Sequence, residues 1–175
     1  MDTKSIVYIA LFAALTAALA LFPPITLPGG VPITAQSLGV MLAGSLAGAR
    51  RGSLAMVLFL VLIAVGLPLL AGGRGGIGMF FGPSGGFLLA WPVSAFFIGW
   101  ALAKANSDRL LRNYVIIAFG GIIVMYAIGI PWLAATTEMS LSQAMFVMLA
   151  YVPGDLIKAF IAAVITRQVR KAFPL

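Results

Sequence analysis

Neither cysteine nor histidine occurs in the 175 residues. Thiol nucleophiles, disulfides, haem and His-ligated metals are thereby excluded, and the fold must hold without covalent staples. Charge is also scarce: 9% of residues are Asp, Glu, Lys or Arg, and only four are acidic. No G-x-x-x-x-G-K-[ST] is present, so the chain has no P-loop with which to hydrolyse ATP by itself. With 62% hydrophobic residues and a mean hydropathy of +1.13, polar surface is too small to cover a soluble globule. The chain must reside in a lipid bilayer.

Six stretches are apolar over most of the roughly 20 residues that a helix needs to cross a membrane. They are Ser5–Phe22, Ile33–Ala49, Leu54–Leu70, Phe87–Ala103, Tyr114–Ala134 and Ala144–Thr166. This predicts an all-α integral membrane protein with six transmembrane helices, forming a single domain over residues 1–175. The second stretch is short. The sixth is interrupted by Pro153-Gly154, where freed backbone groups need other protein groups or cavity water as partners.

Lys and Arg at span ends stay on the cytoplasmic side. Lys4, Arg50, Arg51, Lys104, Arg109, Arg112, Arg167, Arg170 and Lys171 all fall on one side; Arg74 alone falls on the other, and Lys158 lies within a span. Both termini are therefore expected in the cytoplasm. The net charge of +7 is a topology signal, and no patch for nucleic acid forms outside the span ends. A cleaved signal peptide, with Lys4 as its basic region and Ala18-Leu19-Ala20 as its cleavage site, would leave five spans and spoil the charge alternation. An uncleaved first helix is preferred.

Charge inside a span marks a pathway or a binding site by default. The run Tyr151-Val152-Pro153-Gly154-Asp155-Leu156-Ile157-Lys158 carries a carboxylate and an ammonium at i and i+3. On a helix begun by Pro153, both reach the same point on one face. Asp155 precedes Arg167 by twelve residues, a rise of about 18 Å, which puts the pair in the outer half of the membrane. A structural ion pair tying the sixth span to its neighbours is the competing reading.

Three outer loops can close over this pair. The first, Pro23 to Pro32, is stiffened by proline. The third contains Glu138. The second, Ala71 to Gly86, includes Gly73-x-Gly75-x-x-Gly78, a literal match to the dinucleotide fingerprint, but it lies between two spans and not between a strand and a helix, so no nucleotide site follows. Its glycines predict a flexible lid, against a competing reading as ordinary turns. Span two opens with Thr34, Gln36 and Ser37, whose side chains need partners when buried. They face a wet cavity, or Thr34 caps the helix and the others bond neighbouring helices. In span one, Ala10, Ala14 and Ala18 form one small-residue stripe and Ala13 and Ala17 another. Each suits close helix packing, inside the bundle or against a partner protein.

Four separated motifs together resemble one family. They are Val31-Pro32-Ile33-Thr34-Ala35-Gln36-Ser37-Leu38-Gly39, Gly66-Leu67-Pro68 with Ala71-Gly72-Gly73, Gly82-Pro83-Ser84-Gly85-Gly86-Phe87, and Pro153-Gly154-Asp155-Leu156-Ile157-Lys158. In order, and over nearly the whole chain, they look like BioY, the biotin-binding S component of energy-coupling factor transporters. Ala35-Gln36-Ser37 and Gly82-Pro83-Ser84 stand where the family pattern has Leu-Gln-Thr and Gly-Pro-Thr, and both departures keep a hydroxyl.

The resemblance implies a prokaryotic multi-pass protein of the cytoplasmic membrane that captures biotin from outside. It also implies a transmembrane coupling protein and two cytoplasmic ATPases, docked through Ala10, Ala14 and Ala18. No cofactor or metal is expected. Biotin's ureido ring has two N–H donors and a carbonyl, which Asp155 and Lys158 can address together. Thr34, Gln36 and Ser84 are further candidate contacts, Phe80, Phe81, Phe87, Trp91 and Tyr151 candidate walls, and Arg74 a candidate partner for the valerate carboxylate. An S component for another vitamin is the runner-up. A membrane enzyme using Asp155 as base is disfavoured because no second catalytic group accompanies it. A passive facilitator is disfavoured by the charged pair and the glycine lid.

Overall fold

A computed structural model describes residues 2–26, 30–105 and 109–172. Leu27, Pro28 and Gly29 of the first outer loop lie outside the described residues. Asp2 caps the first helix by accepting the Ser5 N–H at 3.2 Å, and α1 (Thr3–Ala18) then runs into a 3-10 turn at Leu19–Leu21. The first loop carries the only strands among the described residues, β1 (Ile25–Thr26) and β2 (Pro32–Ile33), antiparallel with Ile25 opposite Ile33. The remaining helices are α2 (Gln36–Leu42), α3 (Gly48–Ala64), α4 (Gly85–Ala105), α5 (Leu110–Ala118), α6 (Met125–Thr137), α7 (Leu141–Leu149) and α8 (Val152–Ala172).

Among the described residues, four helical runs are long and apolar enough to cross a membrane: Thr3–Leu21, Gln36–Ala64, Gly85–Ala105 and Leu110–Thr137. The pair α7 and α8, bent by 56°, makes a fifth when taken as one span. The break falls at Ala150–Tyr151, not at the expected Pro153-Gly154, which lie within the first turn of α8. Spans two and three thus share one helical run where sequence suggested two stretches parted by Arg50 and Arg51. That run is not straight. Gly48 has φ 83° and ψ 177°, outside the helical region and open to glycine, and a Cβ on Gly52 would strike the Ala43 carbonyl. The chain therefore folds back at Gly48, with α3 against the Ala43–Ala47 segment that follows α2.

Among the described residues, two π-helical segments interrupt the runs, Ala43–Ala47 after α2 and Phe119–Val124 between α5 and α6. Such widened turns leave carbonyls without helical partners, and side chains from other helices serve them here. Ser94 Oγ donates to the Gly120 carbonyl at 2.7 Å, and Arg170 Nη2 donates to the Ser45 carbonyl at 2.9 Å. The core is built where α4 packs on α3 and α6, with Phe59 stacked on Trp91 and Phe87 edge-on to Tyr126. Large apolar side chains such as Leu21, Val65, Leu111 and Phe146 ring the outside, as an integral membrane protein requires.

Basic residues gather at one end of the bundle. Arg51 donates to Ser5 Oγ at 2.9 Å and lies over the Tyr8 ring, while Arg170 reaches the segment just before Gly48. A Cβ on Gly99 would meet the backbone of Gly48 and Ala49, which brings Lys104 to the same end.

Candidate functional site

The chain enters α8 with Pro153 and Gly154 in the first turn, where a missing N–H is harmless and a following carboxylate is favoured by the helix N-terminus. Asp155 and Lys158 form an ion pair of 2.7 Å. Asp155 is 7% exposed and the Lys158 side chain 15%. Buried charges on this scale need full hydrogen bonding, and both have it. Lys158 Nζ also donates to the Thr34 carbonyl at 3.0 Å and to Ser37 Oγ at 2.8 Å, which uses all three ammonium hydrogens. Asp155 Oδ1 lies 3.4 Å from the Ser37 hydroxyl, and Oδ2 accepts the Tyr126 hydroxyl at 2.6 Å. The cluster thus joins the starts of α2, α6 and α8.

A cavity of about 80 Å³ lies against this cluster. It is walled by Val31 to Ile33 from the first loop, by Phe87, Leu88 and Trp91 from α4, and by Met125 and Met148. Of the residues proposed from sequence, Thr34, Gln36, Arg74, Ser84, Tyr151, Asp155 and Lys158 all line it. Phe80 does not: Met79, from the same 3-10 turn (Ile77–Phe80), takes the wall position, and Phe81 is 71% exposed. Tyr151 presents its ring, because its hydroxyl donates to the Val31 carbonyl. Thr34 Oγ1 accepts the Gln36 N–H at 3.3 Å from just before the N-cap residue Ala35, while its carbonyl serves Lys158. Gln36 spends its amide on three backbone groups.

Tyr126 and Ser37 hold the charged pair without having been assigned to it from sequence. The signal for Tyr126 was its depth: a hydroxyl within an apolar run needs a buried partner, unlike one in an interface belt.

The second outer loop differs from the flexible lid expected of it. Leu70 and Arg74 exchange backbone hydrogen bonds of 2.9 and 3.2 Å around a turn in which Gly72 and Gly73 have φ of 80° and 68°. A Cβ on Gly75 would strike the Leu67 carbonyl, Gly76 has φ 92°, and the Gly76 N–H reaches the Ile63 carbonyl at 2.8 Å. These glycines serve turn geometry and close approach.

Ala10, Ala14 and Ala18 lie on the exposed face of α1, whereas Ala13 is buried and Ala17 half-buried against the bundle. The two stripes thus point in different directions.

The BioY family model matches residues 1–175. The biotin transporter BioY of Rhizobium etli is 44% identical over 182 residues, covering 100% of this chain and 97% of that protein. A probable biotin transporter BioY of Bacillus subtilis is 47% identical over 169 residues, covering 96% of this chain and 91% of its own length. The crystal structure at 2.1 Å of the S-component for biotin from an ECF-type ABC transporter superposes with a TM-score of 0.91 at 35% identity, over 98% of this chain and 95% of that one.

Proposed function

Because the chain belongs to the BioY family, we propose that it is the biotin-binding S component of an energy-coupling factor transporter, a transport subunit and not an enzyme. The observation that carries this reading is the buried, fully hydrogen-bonded Asp155–Lys158 pair facing a mostly apolar cavity. Asp155 accepts a ureido N–H and Lys158 donates to the ureido carbonyl, exchanging a present partner such as Ser37 Oγ for the ligand. Because the pair neutralises itself, neither charge is left uncompensated before the ligand arrives. Trp91, Phe87 and Tyr151 pack the bicycle, Thr34 and Ser84 border it, and Arg74 at the rim meets the valerate carboxylate.

The cavity is smaller than the roughly 300 Å³ at which small-molecule sites begin. Admitting a bicycle with a five-carbon tail therefore requires a wall to move outward, and the turn that carries Met79 is a part of the wall flanked by exposed residues, Ile77 and Phe81.

We further read residues 1–175 as one membrane domain of six spans, with the run Gln36–Ala64 counted as two because it reverses at Gly48. The gathering of basic residues at one end supports both termini lying in the cytoplasm of a prokaryotic cell, with the site toward the outside. Lacking a P-loop, the subunit draws its energy from a transmembrane coupling protein and two cytoplasmic ATPases, the former docked on Ala10, Ala14 and Ala18.

Equilibrium binding of labelled biotin to the purified protein tests the reading. Tight, saturable binding without turnover is expected. No binding by a folded protein, or better competition by an unrelated heterocycle, would overturn it.

A further inference from the structure

Three backbone groups from two separate parts of the chain converge on one buried side chain. Gln36, 1% exposed, donates from Nε2 to the Thr16 carbonyl at 3.2 Å and to the Leu69 carbonyl at 2.9 Å, while its Oε1 accepts the Ala71 N–H at 3.0 Å. Both amide hydrogens are used, so this amide has no donor left for a ligand in the adjoining cavity.

Each partner matters for a different reason. The Thr16 carbonyl belongs to the last turn of α1, where helical partners run out. The contact there is tight, since a Cβ on Gly39 of α2 would lie 2.6 Å from Thr16 Oγ1 and 3.0 Å from its Cα. On the other side, Ala71 opens the turn closed by Leu70 and Arg74, and its carbonyl accepts Arg74 Nε at 3.1 Å. A single residue therefore separates Gln36 from Arg74, which lines the cavity. The Gln36 N–H itself rests on Thr34, whose carbonyl holds Lys158.

We propose that Gln36 is the positioning residue that makes the end of α1, the start of α2 and the 70–74 turn move as one body, carrying displacement of α1 to Arg74 and the rim of the cavity. The inference rests on reading the Ala10, Ala14 and Ala18 face as a docking surface. A partner gripping that face moves a helix whose last turn is tied through one amide to the cavity, and contiguous hydrogen-bonded chains are a physical route for such coupling.

Gln36→Met keeps the length of the side chain and removes all three bonds. Biotin affinity of the purified subunit and uptake by membranes holding the whole transporter are measured side by side. Uptake is expected to fall about tenfold further than affinity, within the range usual for coupling between sites, while the coupling protein still co-purifies. Losses in proportion, both tracking the amount of folded protein, would overturn the proposal, because a purely structural role gives that result. Should the variant not fold, hydrogen exchange on the parent transporter decides. Docking of the coupling protein is expected to alter exchange at 70–74 together with the end of α1, and a change confined to α1 overturns the proposal. A parent subunit that binds no biotin or captures no coupling protein removes the functional reading and this inference with it, whereas proportional losses remove this inference alone.

Discussion

Asp155 accepts from three side chains on three helices, so its substitutions report on binding and on packing together. Asp155→Asn keeps the volume but replaces one acceptor oxygen by a donor and removes charge assistance. A hydrogen bond to a charged group contributes about 1.5–3 kcal/mol, so biotin affinity should fall roughly ten- to hundredfold. Lys158 is then left buried without its counter-ion, which costs stability as well. Isothermal titration and thermal unfolding must be run on the same preparation, and unchanged affinity in a stable Asp155→Asn protein would remove the residue from the site. Tyr126→Phe frees Asp155 Oδ2 of its 2.6 Å partner while leaving the ion pair intact. It should lower the unfolding temperature yet weaken biotin less than Asp155→Asn does, and the reverse order of affinities would show that Tyr126 itself contacts the ligand.

At the level of elements, the widened turn Phe119–Val124 depends on a donor from α4. Ser94→Ala leaves the Gly120 carbonyl buried without that donor, a loss of about 1–3 kcal/mol. Ser94 is not a wall of the cavity, so thermal unfolding should shift while biotin affinity stays within error; a matching drop in affinity would mean that this joint shapes the site. The second outer loop calls for different substitutions from those its glycine content suggests. Gly75→Ala collides with the Leu67 carbonyl and Gly76→Ala strains a φ of 92°, so both should destabilise the fold. Gly78 and Gly82 have open space for a Cβ and ordinary φ. Gly78→Ala with Gly82→Ala should therefore leave the unfolding temperature alone and slow biotin association or release in stopped flow, if the rim moves to admit ligand. Parent rates would place the moving wall elsewhere.

For the whole molecule, the docking role proposed for the exposed alanine stripe predicts that capture and transport can be separated. Ala14 sits in the middle of the exposed face, so Ala14→Leu adds bulk without meeting another helix of this chain. The isolated subunit should fold and bind biotin as the parent does, while uptake in cells and co-purification with the coupling protein fail. Normal uptake by Ala14→Leu cells would show that the partner docks on another face.

Apolar run length determined the class of this protein from sequence alone, because a bilayer leaves few ways to satisfy a backbone. The placement of basic residues along the chain likewise anticipated which helix ends gather together. Asp155 and Lys158 were legible for a related reason: charge stands out in an apolar run, and their spacing on a helix needs no knowledge of any other element. What required the tertiary structure is whatever depends on distance across the chain. Tyr126 gains its role only when the start of α6 is brought to the start of α8. Gln36 is a polar residue in either reading, yet whether its amide serves a ligand or the backbone depends on groups 20, 33 and 35 positions away. Gly75 is one glycine among many until the Leu67 carbonyl is brought against it. Local chemistry decided which residues carry charge and hydrogen-bonding groups into the apolar interior. Packing decided which of them face the cavity and which hold the others in place, because burial and partnership belong to pairs of residues that sequence separation does not predict.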